Sequence, residues 1–71
     1  MTRYEQEYDK ILKQCVKVRK EQKITQHELA DMILSCQAEI TKIERMRTIP
    51  GVLKFMEYLD AIGLKLEVVE R

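Results

Sequence analysis

The side chains able to do covalent or metal chemistry are few and scattered. There are two cysteines, Cys15 and Cys36, and one histidine, His27. No nucleophile falls beside a base and an orienting group, as acyl transfer would need. No CxxC pair or His/Cys cluster has the spacing of metal ligands, so no metal and no cofactor is expected. Cys15 lies among apolar residues at helical spacing and reads as core. Cys36 precedes a helix, where a thiol pKa can fall, but reads as a small half-buried turn residue rather than a sensor. His27 reads as solvated. These residues do not describe an enzyme. What remains is charge, and it is unevenly placed. The 13 basic residues nearly balance the 12 acidic ones, yet residues 13–23 hold Lys13, Lys17, Arg19, Lys20 and Lys23 against Glu21 alone. Residues 36–54 hold Lys42, Arg45, Arg47 and Lys54 against Glu39 and Glu44. A basic face is therefore expected on a chain whose net charge, +1, would not by itself suggest a polyanion partner.

Helices must carry these residues. Tyr4, Tyr8, Ile11, Leu12, Cys15 and Val18 or Arg19 recur at three- and four-residue spacing, one face of a long amphipathic helix over about 3–22. Thr25-Gln26-His27-Glu28 is a capping-box sequence opening a second helix over about 25–34, with Leu29, Ala30 and Ile33 inward. Leu34-Ser35-Cys36 is the turn, and Ile40 and Ile43 mark a third helix over about 36–45, started by Ser35 or Cys36. Ile49-Pro50-Gly51 is a loop, and Gly51 can cap a fourth helix with Val52, Phe55, Leu59 and Ile62 inward. Gly63 is placed to stop it. Met32, Met46 and Met56 read as packing. Leu64-Lys65-Leu66-Glu67-Val68-Val69 then alternates apolar and charged residues, a strand pattern over 64–69 with no second strand to pair with.

A chain of 71 residues is one domain, 1–71, and buries only about 60% of its unfolded surface. No apolar run reaches the roughly 18 residues of a membrane span. The polar start, Met1 to Glu7, is unlike a signal peptide, and the unpaired cysteines fit a reducing cytoplasm.

The residues Thr25-Gln26-x-Glu28-Leu29-Ala30, then Ile40-x-x-Ile43-Glu44-Arg45, then Pro50, resemble the Xre/Cro-like helix-turn-helix family of the lambdoid repressor type. The resemblance runs without a gap over about 15–64. It implies an all-α, compact four-helix domain that binds duplex DNA, with the third helix in the major groove. By the same resemblance Gln37, Ala38, Thr41 and Lys42 stand where base edges are read. Gln37 suits adenine, Lys42 guanine, and Ala38 or Thr41 a thymine methyl. Gln26 matches a phosphate contact at the start of the second helix. Arg45 and Arg47 stand as phosphate anchors, and Arg19 with Glu44 matches a family salt bridge. Leu34 and Met46 depart from the family, which places glycine at both turns. Cys36 stands at the usual serine cap.

Ala61-Ile62-Gly63-Leu64-Lys65-Leu66 is similar to the end of some antitoxins of this family, whose last strand pairs across a dimer. Leu64, Leu66 and Val68 are then the dimer interface, laid toward the Tyr4, Tyr8 and Ile11 stripe. The expected activity is a dimeric transcriptional repressor on a palindromic operator. The alternative is a protein-interaction module, or an antitoxin whose main partner is a toxin protein.

Overall fold

A computed structural model describes residues 1–71. It contains four helices and no strand: α1 (Arg3–Glu21), α2 (Gln26–Met32), α3 (Gln37–Glu44) and α4 (Val52–Ala61). α1 and α2 both open on full capping boxes. Thr2 accepts from the Glu5 amide while Glu5 reaches back to Thr2, and Thr25 and Glu28 do the same. α3 opens on Cys36 and α4 on Gly51, each without a side-chain cap. At 7 and 8 residues, α2 and α3 are too short to hold alone, so packing holds them.

All four helices end in the same way. The residue two past each helix takes a left-handed conformation: Lys23 (φ 59°), Leu34 (φ 53°), Met46 (φ 60°) and Gly63 (φ 80°). The next amide then reaches back five residues, Ile24 to the Arg19 carbonyl, Ser35 to Ala30, Arg47 to Lys42 and Leu64 to Leu59, at 2.8–3.1 Å. This is the Schellman motif four times over, and only once does it fall on glycine. Neither turn that departs from the family is remodelled. Leu34 and Met46 accept the left-handed geometry, at about 1 kcal/mol or more each. The two differ in what their side chains return. Met46 packs against the core, whereas Leu34 is 95% exposed. Leu34→Gly is therefore expected to raise stability by about 0.5–1 kcal/mol, and Met46→Gly to give no gain, measured by urea denaturation. A destabilised Leu34→Gly protein would show that the Leu34 side chain is stabilising after all.

The core is built from all four helices: Leu12 and Cys15, Leu29 and Ala30, Ile40 and Ile43, and Phe55, Tyr58, Leu59 and Ile62. Fully burying each large aliphatic side chain is worth about 1.5–3 kcal/mol. Tyr8 meets Phe55 edge-on at 5.5 Å, with its hydroxyl buried and unpartnered. Gln22 Nε2 donates to the Ile62 carbonyl at 2.6 Å and ties the ends of α1 and α4 together.

Several expectations are corrected. Val52 is exposed, because it is the first residue of α4 and precedes the packed turn. Tyr58, fully buried, takes an inward place nearly two turns further along. Met32 and Met56 are exposed rather than packed, and so is Cys36. Tyr4 and Ile11 are exposed, leaving Leu12, Cys15 and Arg19 as the buried line of α1. Residues 64–69 form no strand, since a strand exists only against a ladder partner and one chain supplies none. Leu64 and Leu66 instead border a groove of about 460 Å³ with Leu53 and Met56 of α4, away from the Tyr4–Ile11 stripe. Val68 is fully exposed.

Candidate nucleic-acid interface

α3 presents two faces from eight residues. Ile40 and Ile43 point into the core, while Gln37, Ala38 and Lys42 are exposed. The left-handed Met46 then turns the chain so that Arg47 returns beside the helix. The result is one shallow depression of about 420 Å³ lined by Gln37, Ala38, Thr41, Lys42, Arg45 and Arg47. Six of the seven residues singled out for DNA contact thus share one surface.

The seventh, Gln26, sits beside them at the start of α2. Its side chain bonds inside the protein, accepting from Thr41 Oγ1 at 2.7 Å and donating to Glu44 Oε1 at 2.9 Å. Beneath it lies the most heavily bonded group in the molecule. Arg19 grips the Glu44 carboxylate with Nε and Nη2, both at 2.8 Å, and gives Nη1 to the Ile24 carbonyl at 2.7 Å. The Tyr58 hydroxyl donates to Glu44 Oε2 at 2.6 Å. The two ionic side chains are 6% and 5% exposed, a fork-to-fork pair out of water.

Burial opposes the charge on Glu44, but the bonds from Arg19, Tyr58 and Gln26 outweigh it and hold the carboxyl below its usual range. Burial likewise opposes the Arg19 charge and is outweighed by Glu44, so the guanidinium is held more firmly charged. Burial and the adjacent carboxylate together push the Tyr58 phenol far up. Glu44 is thus ionised and spent on Arg19, and contributes no free negative charge to the surface above it. No acidic side chain lines the depression that holds Lys42, Arg45 and Arg47; Glu39, which takes a 3.3 Å bond from Ser35, lies in the neighbouring depression with Lys42.

A helix-turn-helix family model matches residues 17–69. The chain belongs to the Xre/Cro-like helix-turn-helix family, a family of DNA-binding regulators. No curated protein and no solved structure matches it.

In this helix-turn-helix domain α2 and α3 are the motif, and the α2–α3 turn is the left-handed Leu34 with Ser35. α3 starts at Gln37, with Cys36 as its cap, which resolves the two starts left open by the sequence. Tyr58 and Thr48 were not singled out from the sequence, and Lys54 entered only as one of the cations of residues 36–54. Tyr58 completes the Glu44 cluster, and the spacing Phe55, Tyr58, Leu59, Ile62 carried the signal for its burial. Lys54 and Thr48 line a second depression of about 450 Å³ that shares Lys42 with the first. Lys54 extends the row of cations onto α4. His27 stays on the surface, 3.5 Å from Asp31, and no cluster of three metal-ligating side chains exists. No helix is long and apolar enough to cross a membrane.

Proposed function

We propose that this helix-turn-helix protein is a sequence-specific transcriptional repressor, dimeric on a palindromic operator in the cytoplasm. The observation that carries the reading is the gathering of Gln37, Ala38, Thr41, Lys42, Arg45 and Arg47 on the outer face of α3. An α3 laid in the major groove puts Gln37, at its N-terminal end, against base edges, where a carboxamide pairs with adenine in two bonds. Lys42 lies one turn on and donates to guanine, while Ala38 and the Thr41 methyl face thymine methyl groups. Arg45 and Arg47, beyond the readable end of the helix, take phosphates, as does Gln26. The Arg19–Glu44 pair holds α1 and α3 in the orientation this requires.

Dimerisation is the other half of the proposal. Leu53, Met56, Leu64 and Leu66 are 74%, 47%, 37% and 43% exposed and share one groove with the charged Glu57, Asp60 and Lys65, an apolar surface set among charges that a second copy can cover. Two tails paired antiparallel about Leu66 set Lys65 of each against Glu67 of the other, opposite charges across the dyad. The same apolar surface favours the second reading, an antitoxin that covers it with a toxin protein.

Selection of bound sites from random duplexes tests the first reading directly, and an inverted repeat with half-sites about one helical turn apart is the expected product. Binding must weaken steeply with salt. On the selected operator, Gln37→Ala and Lys42→Ala are each expected to relax preference at one base-pair position, losing about 1–3 kcal/mol there. Arg47→Ala is expected to weaken every sequence alike. Equal, sequence-independent losses from all three substitutions would overturn these roles. Failure to enrich any duplex would sink the repressor.

A further inference from the structure

The bonding around Gln26 is more determined than a surface glutamine requires. Glu44 is ionised and its oxygens can only accept, so the group 2.9 Å from Oε1 must be the Gln26 amide nitrogen. That choice turns the Gln26 carbonyl toward Thr41. The carbonyl cannot donate, so the 2.7 Å contact is the Thr41 hydroxyl giving its only proton to Gln26. The carboxamide is therefore held at both ends by α3, by Thr41 on one side and the Arg19-anchored Glu44 carboxylate on the other. One amide hydrogen is left free.

The same bookkeeping restricts Thr41. Its proton is used, so it has nothing to donate to guanine O6 or N7. Only its methyl group and its oxygen lone pairs remain for a base.

We propose that Thr41 is a positioning residue: it fixes the Gln26 carboxamide for a backbone phosphate, and its hydroxyl serves affinity through Gln26 rather than by reading a base. This rests on the DNA-binding reading above and deepens it. Gln26 thereby becomes a phosphate contact whose strength depends on one side chain of the recognition helix.

The test compares Thr41→Val, which keeps the shape and loses the hydroxyl, with Thr41→Ser, which keeps the hydroxyl. Both are made in the full chain, with thermal unfolding confirming the fold. Binding is measured to the selected operator and to each of its single-base-pair variants. Thr41→Val is expected to lose about fivefold on every duplex, the worth of one neutral hydrogen bond, with the base-preference profile unchanged. Thr41→Ser is expected to stay within about twofold of the parent except at the base pair that the lost methyl group faces. Adding Thr41→Val to Gln26→Ala should change nothing further, since the two act as one unit. In the DNA-free protein, Thr41→Val should loosen the Gln26 side-chain amide on the picosecond to nanosecond scale, read from its ¹⁵N order parameter. In Thr41→Val, loss confined to one base-pair position, additivity with Gln26→Ala, or an equally ordered Gln26 amide would overturn the proposal. A parent protein that binds no duplex would instead overturn the DNA-binding reading on which it stands.

Discussion

Glu44→Ala is expected to destabilise the domain by about 3–5 kcal/mol, enough to leave much of so small a protein unfolded at 25 °C. The loss is not the worth of an ion pair. It is the penalty for leaving Arg19, 5% exposed, without its counter-charge, and for stripping Tyr58 and Gln26 of their acceptor. Arg19→Ala should cost a similar amount, and the double substitution less than the sum, because each single change strands what the other removes. The pH dependence follows from the same geometry. The folded carboxyl titrates below its ordinary value of 4.5, so the unfolded chain takes up the proton first. The stability the pair supplies is complete above pH 4.5 and is lost as the pH falls through the lower, folded value. Urea denaturation across pH 3–7 should show the parent weakening below that point and Glu44→Ala weakening much less. A Glu44→Ala protein within about 1 kcal/mol of the parent would mean the two ions are independent surface charges.

Removal of residues 65–71 is expected to give a folded monomer whose operator affinity is lower by a hundredfold or more. The cut spares Leu64, whose amide closes the end of α4 on the Leu59 carbonyl, so the helix itself should survive. What it removes is the segment proposed to pair about the two-fold axis. A dimer places two recognition helices about 34 Å apart, and once one half-site is bound the second binds as an intramolecular step. Effective concentrations of that kind multiply affinity by about 10²–10⁴. Sedimentation and operator binding measure the two consequences together, and circular dichroism checks that the helices remain. A truncated chain that is still a dimer at micromolar concentration, with operator affinity intact, would place the interface elsewhere. The gentler variant Leu66→Lys, at a position already 43% exposed, should reproduce the effect without touching the fold.

Local signals are readable from the residues themselves, whereas among the distant pairs only Arg19–Glu44, 25 residues apart, is legible, and that through the family resemblance. Thr25 and Glu28 are three residues apart, and their reciprocal cap announced α2 without reference to anything else. The Gly63 stop and the apolar line through α4 were equally local. Three of the partners of the Glu44 carboxylate and its neighbour are not. Tyr58 meets Glu44 across 14 residues, Thr41 meets Gln26 across 15, and Gln26 meets Glu44 across 18. No periodicity encodes such pairs, so the bonds that Gln26 and Thr41 make inside the protein are not legible in the sequence. Leu34 and Met46 show another limit. Propensity disfavours both in a left-handed turn, but the packed helices on either side, α2 against α3 and α3 before the α4 loop, impose the geometry regardless. The tail is the converse case. Its alternation reads as a strand, and no strand forms there in the single chain.

The helix ends carry a consequence for how such a protein changes its target over time. Each turn is closed by main-chain bonds, which are indifferent to the side chains decorating them. Along α3 and its cap, meanwhile, the residues holding the domain together, Ile40, Ile43 and Glu44, are separate from Gln37, Ala38, Lys42 and Arg45, which are no part of the core. A new set of outward side chains can therefore be installed without renegotiating the scaffold, and specificity is free to drift while the architecture stays put. Thr41 is the exception. It lies on the seam between the two sets, so a substitution there is felt in α2 as well, and that position should be the slowest of the outer face to diverge.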